Sequence, residues 1–250
     1  MTFNTVKDSF DKAAERYDEN SYIQKKSLDF LVDFLFSSID IKSNKKFKAL
    51  DIGCGTGESS ILLLKKINFQ SLTLLDLSKN MLELAAKKIN RDSLELIETD
   101  FDNFQDYSKF NMIYSNMSIH WSKNFKRLIR NILNSVGKTS VILFSYVNSS
   151  SFKYFHNLSS FDIKILNSFP KHNDLLDLID RKRFKYFHKE ITINKIYNCP
   201  LQFFYDLKSY GANYKLNSSA VGKLFMLRKI KKKININFNI SYYSLKKIEN

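Results

Sequence analysis

The stretch Asp51-Ile52-Gly53-Cys54-Gly55-Thr56-Gly57, set behind the short apolar run Phe47-Lys48-Ala49-Leu50, constrains the fold more than any other part of the chain. It reads as a strand ending in a glycine-rich turn that opens a helix. Glycine is required where the backbone takes positive φ or where a ligand approaches closer than a Cβ allows. Three glycines alternate here, at 53, 55 and 57.

A dinucleotide fingerprint, G-x-G-x-x-G, would place its third glycine at position 58, which is Glu58. A pyrophosphate needs a helix N-terminus free of nearby anions, whereas Asp51 and Glu58 bracket this loop with carboxylates. Such a loop suits a nucleoside without phosphate that carries sulfonium and ammonium cations, as S-adenosyl-L-methionine does. The spacing resembles motif I of the Rossmann-like methyltransferases. Asp51, Gly53, Cys54, Gly55 and Gly57 are therefore the first candidate cofactor residues.

Periodicity supplies the surrounding frame. Phe10, Ala13, Ala14 and Tyr17, then Leu28, Leu31, Val32 and Leu35, recur at helical offsets, with Asp18-Glu19-Asn20-Ser21 as the expected break. Helices are expected at 59–66, after a Ser78 cap, and at 125–133. Strands are expected at 72–75, 94–97, 111–115 and 139–145, giving βαβ crossovers and a parallel sheet. Two late strands, 191–197 and 234–245, would complete it. Aromatic-rich helices at 152–161 and 201–210 could roof the strand ends, and Lys229-Ile230-Lys231-Lys232-Lys233 reads as a solvated loop.

At 250 residues and 44% hydrophobic, the chain has ample length for a core. No apolar run approaches the roughly 18 residues that span a bilayer, and the first residues lack a secretory h-region, so a cytoplasmic location is expected. Cys54 and Cys199 are expected to be reduced. The four histidines show no zinc-ligand spacing, so no metal is expected. The net charge of +15 has two readings: attraction of nucleic acid, anionic membrane or an acidic protein, or lysines scattered by biased composition. A nucleic-acid-binding module is the non-enzymatic alternative, against which the intact Asp51, Asp76 and three glycines argue.

Asp76, 25 residues beyond Asp51 at the end of the second strand, is placed to accept hydrogen bonds from both ribose hydroxyls. Asp100 follows the third strand and could accept from an adenine amino group, with Leu77 or Phe101 beside the ring. Ser115-Asn116-Met117-Ser118-Ile119-His120-Trp121 follows the fourth strand, opposite the emerging methyl group, and holds the single tryptophan.

Phe10-Asp11-Lys12-Ala13-Ala14-Glu15-Arg16-Tyr17-Asp18 with Gln24, the 115–121 segment, Leu207-Lys208-Ser209-Tyr210-Gly211-Ala212 and Ile240-Ser241-Tyr242-Tyr243 together resemble the malonyl-acyl-carrier-protein O-methyltransferases of biotin synthesis. His120 stands where that family more often has glutamine. The resemblance implies an α/β, Rossmann-like class I methyltransferase, with a mostly parallel seven-stranded sheet, helices on both faces and a helical cap. It implies one domain over 1–250: N-terminal helices over the active site (1–40), a cofactor core (41–147), a partly inserted cap with late sheet elements (148–233) and a closing strand (234–248).

The resemblance further implies S-adenosyl-L-methionine as cofactor, with Asn116 joining the cofactor residues, and Tyr17, His120 and Trp121 at the methyl acceptor. The acceptor would be the free carboxylate of a malonyl thioester on acyl carrier protein, or malonyl-CoA. An acidic carrier would dock on basic surface, with Lys208, Arg181 and Arg183 as candidates. Another carboxylate or a phenol is the alternative acceptor. A carboxylate is already ionised at pH 7 and needs no general base, which fits a sequence offering no base constellation.

Overall fold

The computed structural model describes residues 3–41, 44–156, 169–212 and 227–248. Its helices are α1 (Phe3–Ala13), α2 (Tyr17–Asn20), α3 (Tyr22–Ser38), α4 (Glu58–Leu64), α5 (Lys79–Ile89), α6 (Phe125–Ser135), α7 (Lys153–His156), α8 (Asn173–Leu176) and α9 (Pro200–Ser209). Its strands are β1 (Phe47–Ile52), β2 (Phe69–Asp76), β3 (Leu94–Glu98), β4 (Met112–Asn116), β5 (Val141–Val147), β6 (Phe184–Tyr197) and β7 (Ile234–Lys247). They form one sheet in the order β3-β2-β1-β4-β5-β7-β6. The first five strands are parallel, and β7 runs against both β5 and β6.

The near-continuous apolar character of β1, β4 and β5 follows from burial on both faces. Ala49, Met112 and Leu143 face α3, α4 and α5, while their neighbours Leu50, Ile113 and Ile142 face α6 and α8. Helix α6 shows why the sequence picks its side: Phe125, Leu128, Ile129, Ile132 and Leu133 recur at helical spacing and are all buried. Asn124 caps it by accepting from the Arg127 amide. The order reverses between β1 and β4, so the crossovers leave on opposite faces and open a crevice at the carboxyl ends of these strands.

Several boundaries differ from the sequence expectation. The helix break falls at Ser21 alone, because Tyr17–Asn20 forms a helical turn continuous with the 3-10 turn Ala14–Arg16. Strand β5 starts at Val141, two residues late, since Thr139 adopts a left-handed φ of 60°. Strand β6 begins at Phe184, seven residues early: as an edge strand it exposes much of its length, and its Lys, His and Glu residues conceal it. The helix expected at 152–161 is seen as α7, and residues 157–161 lie outside the described residues. Lys231, Lys232 and Lys233 are exposed, as expected of a solvated loop. Among the described residues no helix is long and apolar enough to cross a membrane. Cys54 and Cys199 are free thiols.

Candidate functional site

The loop after β1 is shaped by its glycines. Gly53, Gly55 and Gly57 have φ of 63°, 53° and 83°, a region costly for other residues. A Cβ on Gly53 would fall 1.7 Å from Ser118 Oγ. One on Gly57 would meet Ala85 at 3.0 Å, so this glycine lets α4 and α5 pack. Gly53 and Gly55 instead leave bare backbone on the wall of a cavity of about 470 Å³ in the crevice.

The cavity has two chemically distinct ends. Toward β2 and β3 it is lined by Asp76, Leu77, Met81, Asp100, Phe101 and Asp102. Toward β5 and β7 its wall is apolar and aromatic, with Val147, Phe152, Phe169, Leu207, Tyr210 and Phe238. Val6, Phe10 and Tyr17 come from the N-terminal helices, and Gln24 from α3. Ten of the sequence candidates line this one cavity: Tyr17, Gly53, Gly55, Asp76, Leu77, Asp100, Phe101, Asn116, His120 and Trp121.

Asp76 is fixed by the loop that it helps to form. Oδ2 accepts from the Gly55 amide and Oδ1 from the Ser78 amide, both at 2.9 Å. Burial raises its pKa, against the lowering effect of these backbone bonds. The Leu77 amide also donates to this carboxylate, which still has acceptor capacity beyond the loop amides. Asp100 likewise accepts from the Asp102 amide at 2.9 Å, and its pKa is raised by burial.

Three candidates are not on the wall. Asp51 is buried beneath the loop, where Oδ2 accepts from Ser60 Oγ at 2.7 Å and Oδ1 has no partner. Burial lifts its carboxyl to about 7, with the Ser60 bond opposing and Asp76 reinforcing. Cys54 and Gly57 pack behind the turn. Nor does Glu58 face the cavity, because Lys88 pairs with it at 2.9 Å. The acidic end is therefore built by Asp76, Asp100 and Asp102 rather than by Asp51 and Glu58. Asp102 was missed because an Asp two residues after another in a polar turn carries no distinctive signal.

Asn116 lines the cavity, but its polar atoms serve as a strut. Oδ1 accepts from Ser27 Oγ at 2.9 Å and Ser145 Oγ at 2.7 Å, and Nδ2 donates to the Gln24 carbonyl at 3.0 Å. It ties α3 to the ends of β4 and β5. Trp121 meets Phe10 edge to face at 6.0 Å, and His120 lies between Trp121 and Phe169 with centroids 5.3 and 5.5 Å away. Burial drops the His120 pKa to about 3, so the imidazole is neutral at pH 7.

Tyr17 lies against the loop, its Cε1 3.9 Å from where a Gly55 Cβ would be. Burial, then Asp76 and Asp18, raise its phenol pKa and keep it protonated. The next residue latches it: Asp18 Oδ1 accepts from Thr56 Oγ1 at 2.6 Å, and Lys88 bridges Asp18 and Glu58. Asp11 adds a second latch to Ser78 Oγ. Asp18→Ala should speed release of S-adenosylhomocysteine about fivefold, for roughly 1 kcal/mol lost from a half-exposed charged bond. Stopped-flow displacement checks this, and an unchanged rate would remove the latch.

The comparisons with known proteins agree with this geometry. The family model described as a methyltransferase domain matches residues 49–138, the glycine loop through β4 and α6. A malonyl-[acyl-carrier protein] O-methyltransferase 2 of Ilyobacter polytropus is 30% identical over 218 residues, spanning 86% of this chain and 82% of its own. The chain belongs to the malonyl-[acyl-carrier protein] O-methyltransferase family. Solved structures extend the fold likeness. The YcgJ protein of Bacillus subtilis superposes with a TM-score of 0.62 at 11% identity, over 90% of this chain and all of that one. The N-methyltransferase NodS of Bradyrhizobium japonicum, solved with S-adenosylhomocysteine, gives 0.60 at 10% identity, over 98% and 100%. Within this methyltransferase family the fold is α/β and Rossmann-like, with the seven-stranded, mostly parallel sheet described above.

The cavity fits S-adenosylmethionine. Gly53 and Gly55 leave bare backbone on its wall, and the carboxylates of Asp76 and Asp100 offer acceptors for the hydroxyl and amino groups of a nucleoside. Asp76, Asp100 and Phe101 could hold the nucleoside end.

Proposed function

We propose that this methyltransferase, with S-adenosyl-L-methionine as its cofactor, esterifies the free carboxylate of a malonyl thioester on acyl carrier protein, an early step of biotin synthesis. The observation that carries the reading is the neutral His120 at the acceptor end. A group whose conjugate acid has a pKa of about 3 is too weak a base to deprotonate a phenol or an ammonium at pH 7. Tyr17 is protonated and no better. A carboxylate requires neither.

When bound, the cofactor supplies a methyl carbon to the acceptor oxygen, and the electron pair of the broken C–S bond leaves on sulfur. The chain's part is positioning and exclusion of water. Asp76 and the Gly53–Gly55 backbone fix the nucleoside, and Tyr17 and Trp121 cover the reacting centre. The aromatic wall dries a step in which opposite charges cancel. Lys208, exposed on α9 between cavity-lining Leu207 and Tyr210, remains a candidate contact for an acidic carrier. Arg181 and Arg183 do not. They precede Phe184, which pairs with Lys247, whereas cavity-lining Phe238 pairs with Ile193, nine residues or about 30 Å along the edge strand.

Purified protein given methyl-labelled S-adenosylmethionine should form a base-labile ester on malonyl-acyl carrier protein, and on malonyl-CoA at higher concentration. Transfer to neither, with transfer to a phenol or amine instead, would overturn the acceptor and leave the cofactor standing.

A further inference from the structure

Gln24 and His120 both line the cavity, and among the described residues each has one buried side-chain atom without a protein partner, Oε1 and Nδ1. A native protein rarely leaves such groups unpaired, because each has lost water and gained nothing in return. Here both residues line one cavity. They come from separate elements, α3 and the turn after β4, and the Asn116 bond to the Gln24 carbonyl ties α3 to the end of β4. We infer that Gln24 and His120 form the acceptor-carboxylate subsite, an uncharged pair of hydrogen-bond donors that makes a malonyl thioester preferable to one lacking the carboxylate. The inference rests on the acceptor reading above.

Both groups can donate. The oxygen and nitrogen of a glutamine amide exchange places by a half-turn, so an incoming carboxylate recruits the Nε2–H. A neutral imidazole carries one N–H, and a carboxylate at Nδ1 selects the Nδ1–H tautomer. The surroundings keep the imidazole uncharged: Trp121 and Phe169 flank its ring, and desolvation is the cause of its lowered pKa.

An uncharged subsite suits this reaction better than a cationic one. The acceptor oxygen loses its negative charge as it is alkylated, so a fixed cation would bind the substrate more strongly than the transition state and slow the step. A guanidinium would also repel the sulfonium of the cofactor. Among the described lining residues Lys123 is the one lysine or arginine, and it lies 3.9 Å from Asp100, at the cofactor end. Neutral donors keep a hold on the carbonyl oxygen of the ester without a charge to trap it.

The test uses the full chain with Gln24→Leu, His120→Leu and His120→Gln. Malonyl-CoA serves as substrate, acetyl-CoA as a competitive inhibitor without the carboxylate, and S-adenosylhomocysteine as a calorimetric probe of the cofactor end. Each leucine variant should raise the KM for malonyl-CoA at least tenfold while leaving the acetyl-CoA inhibition constant and S-adenosylhomocysteine affinity within about twofold. His120→Gln, which restores a neutral donor, should recover most of the lost discrimination. An unchanged malonyl-CoA KM, or equal weakening of malonyl- and acetyl-CoA, would overturn the subsite. If the wild type transferred no methyl group to any malonyl thioester, the acceptor reading would fall as well, so the two failures are distinguishable.

Discussion

Asp76→Ala should raise the S-adenosylmethionine concentration needed for half-maximal rate about a hundredfold. The carboxylate holds the Gly55 and Ser78 amides, and its remaining acceptor capacity is directed at the proposed position of the ribose hydroxyls. Two charge-assisted bonds at about 1.5 kcal/mol each, the low end of their range, amount to roughly 3 kcal/mol, or about two decades in affinity. Part of the loss will come from the loop itself, since a methyl side chain leaves both amides without their partner. Asp76→Asn separates the contributions. It keeps the shape but turns one acceptor into a donor that opposes a loop amide or a ribose hydroxyl, so it should lie between wild type and alanine. Calorimetry with S-adenosylhomocysteine reads both variants, and an affinity within threefold of wild type for Asp76→Ala would end the ribose assignment.

That Asp76 could be found from spacing alone has a physical basis. A strand with both faces buried is a conspicuous apolar run, and Asp76, the polar residue that closes β2, stands at the crevice mouth, so counting from Asp51 reached the wall directly. The same logic located Leu77, Asp100, Phe101 and the turn holding His120 and Trp121. It failed for Asp51, the penultimate residue of β1, which points beneath the loop instead of out of it. A strand's last residue and the one before it face opposite ways, and sequence does not say which is last.

The acceptor end was legible only in part. The segments at 152–161 and 201–210 were expected to roof the strand ends, and Phe152, Leu207 and Tyr210 do line the cavity, whereas Phe169 and Phe238 are each one of many aromatic residues with no local mark of facing it. Gln24 belonged to a motif that pointed to the family, but only the structure shows its amide oxygen buried and unpaired. The fold class was legible because periodicity is local. The acceptor end is legible only where a motif marks it, as at Tyr17, His120 and Trp121, because tertiary packing assembles the rest.

Asp51 should reveal itself through pH. Its ordinary carboxyl pKa of 3.8 is lifted by burial to about 7 in the folded chain. Below pH 3.8 both folded and unfolded chains hold the proton. As pH rises toward 7 the unfolded chain releases it and the folded chain does not, so this contribution to stability declines through that window and is flat above it. Three pH units at about 1.4 kcal/mol each imply a loss on the order of 4 kcal/mol, an upper figure because the loop can relax. Asp51→Asn keeps the size without the charge. The cofactor-free variant should therefore melt about 10 °C higher than wild type at pH 8 and show a flatter stability profile between pH 4.5 and 7.5. Cofactor binding should reverse the bias, because a cation above the loop favours the ionised carboxyl. Near pH 7 the wild type should release a fraction of a proton on binding S-adenosylmethionine, measured from calorimetric heats in buffers of different ionisation enthalpy. Asp51→Asn should release less, and equal release by both proteins would assign the proton to another group.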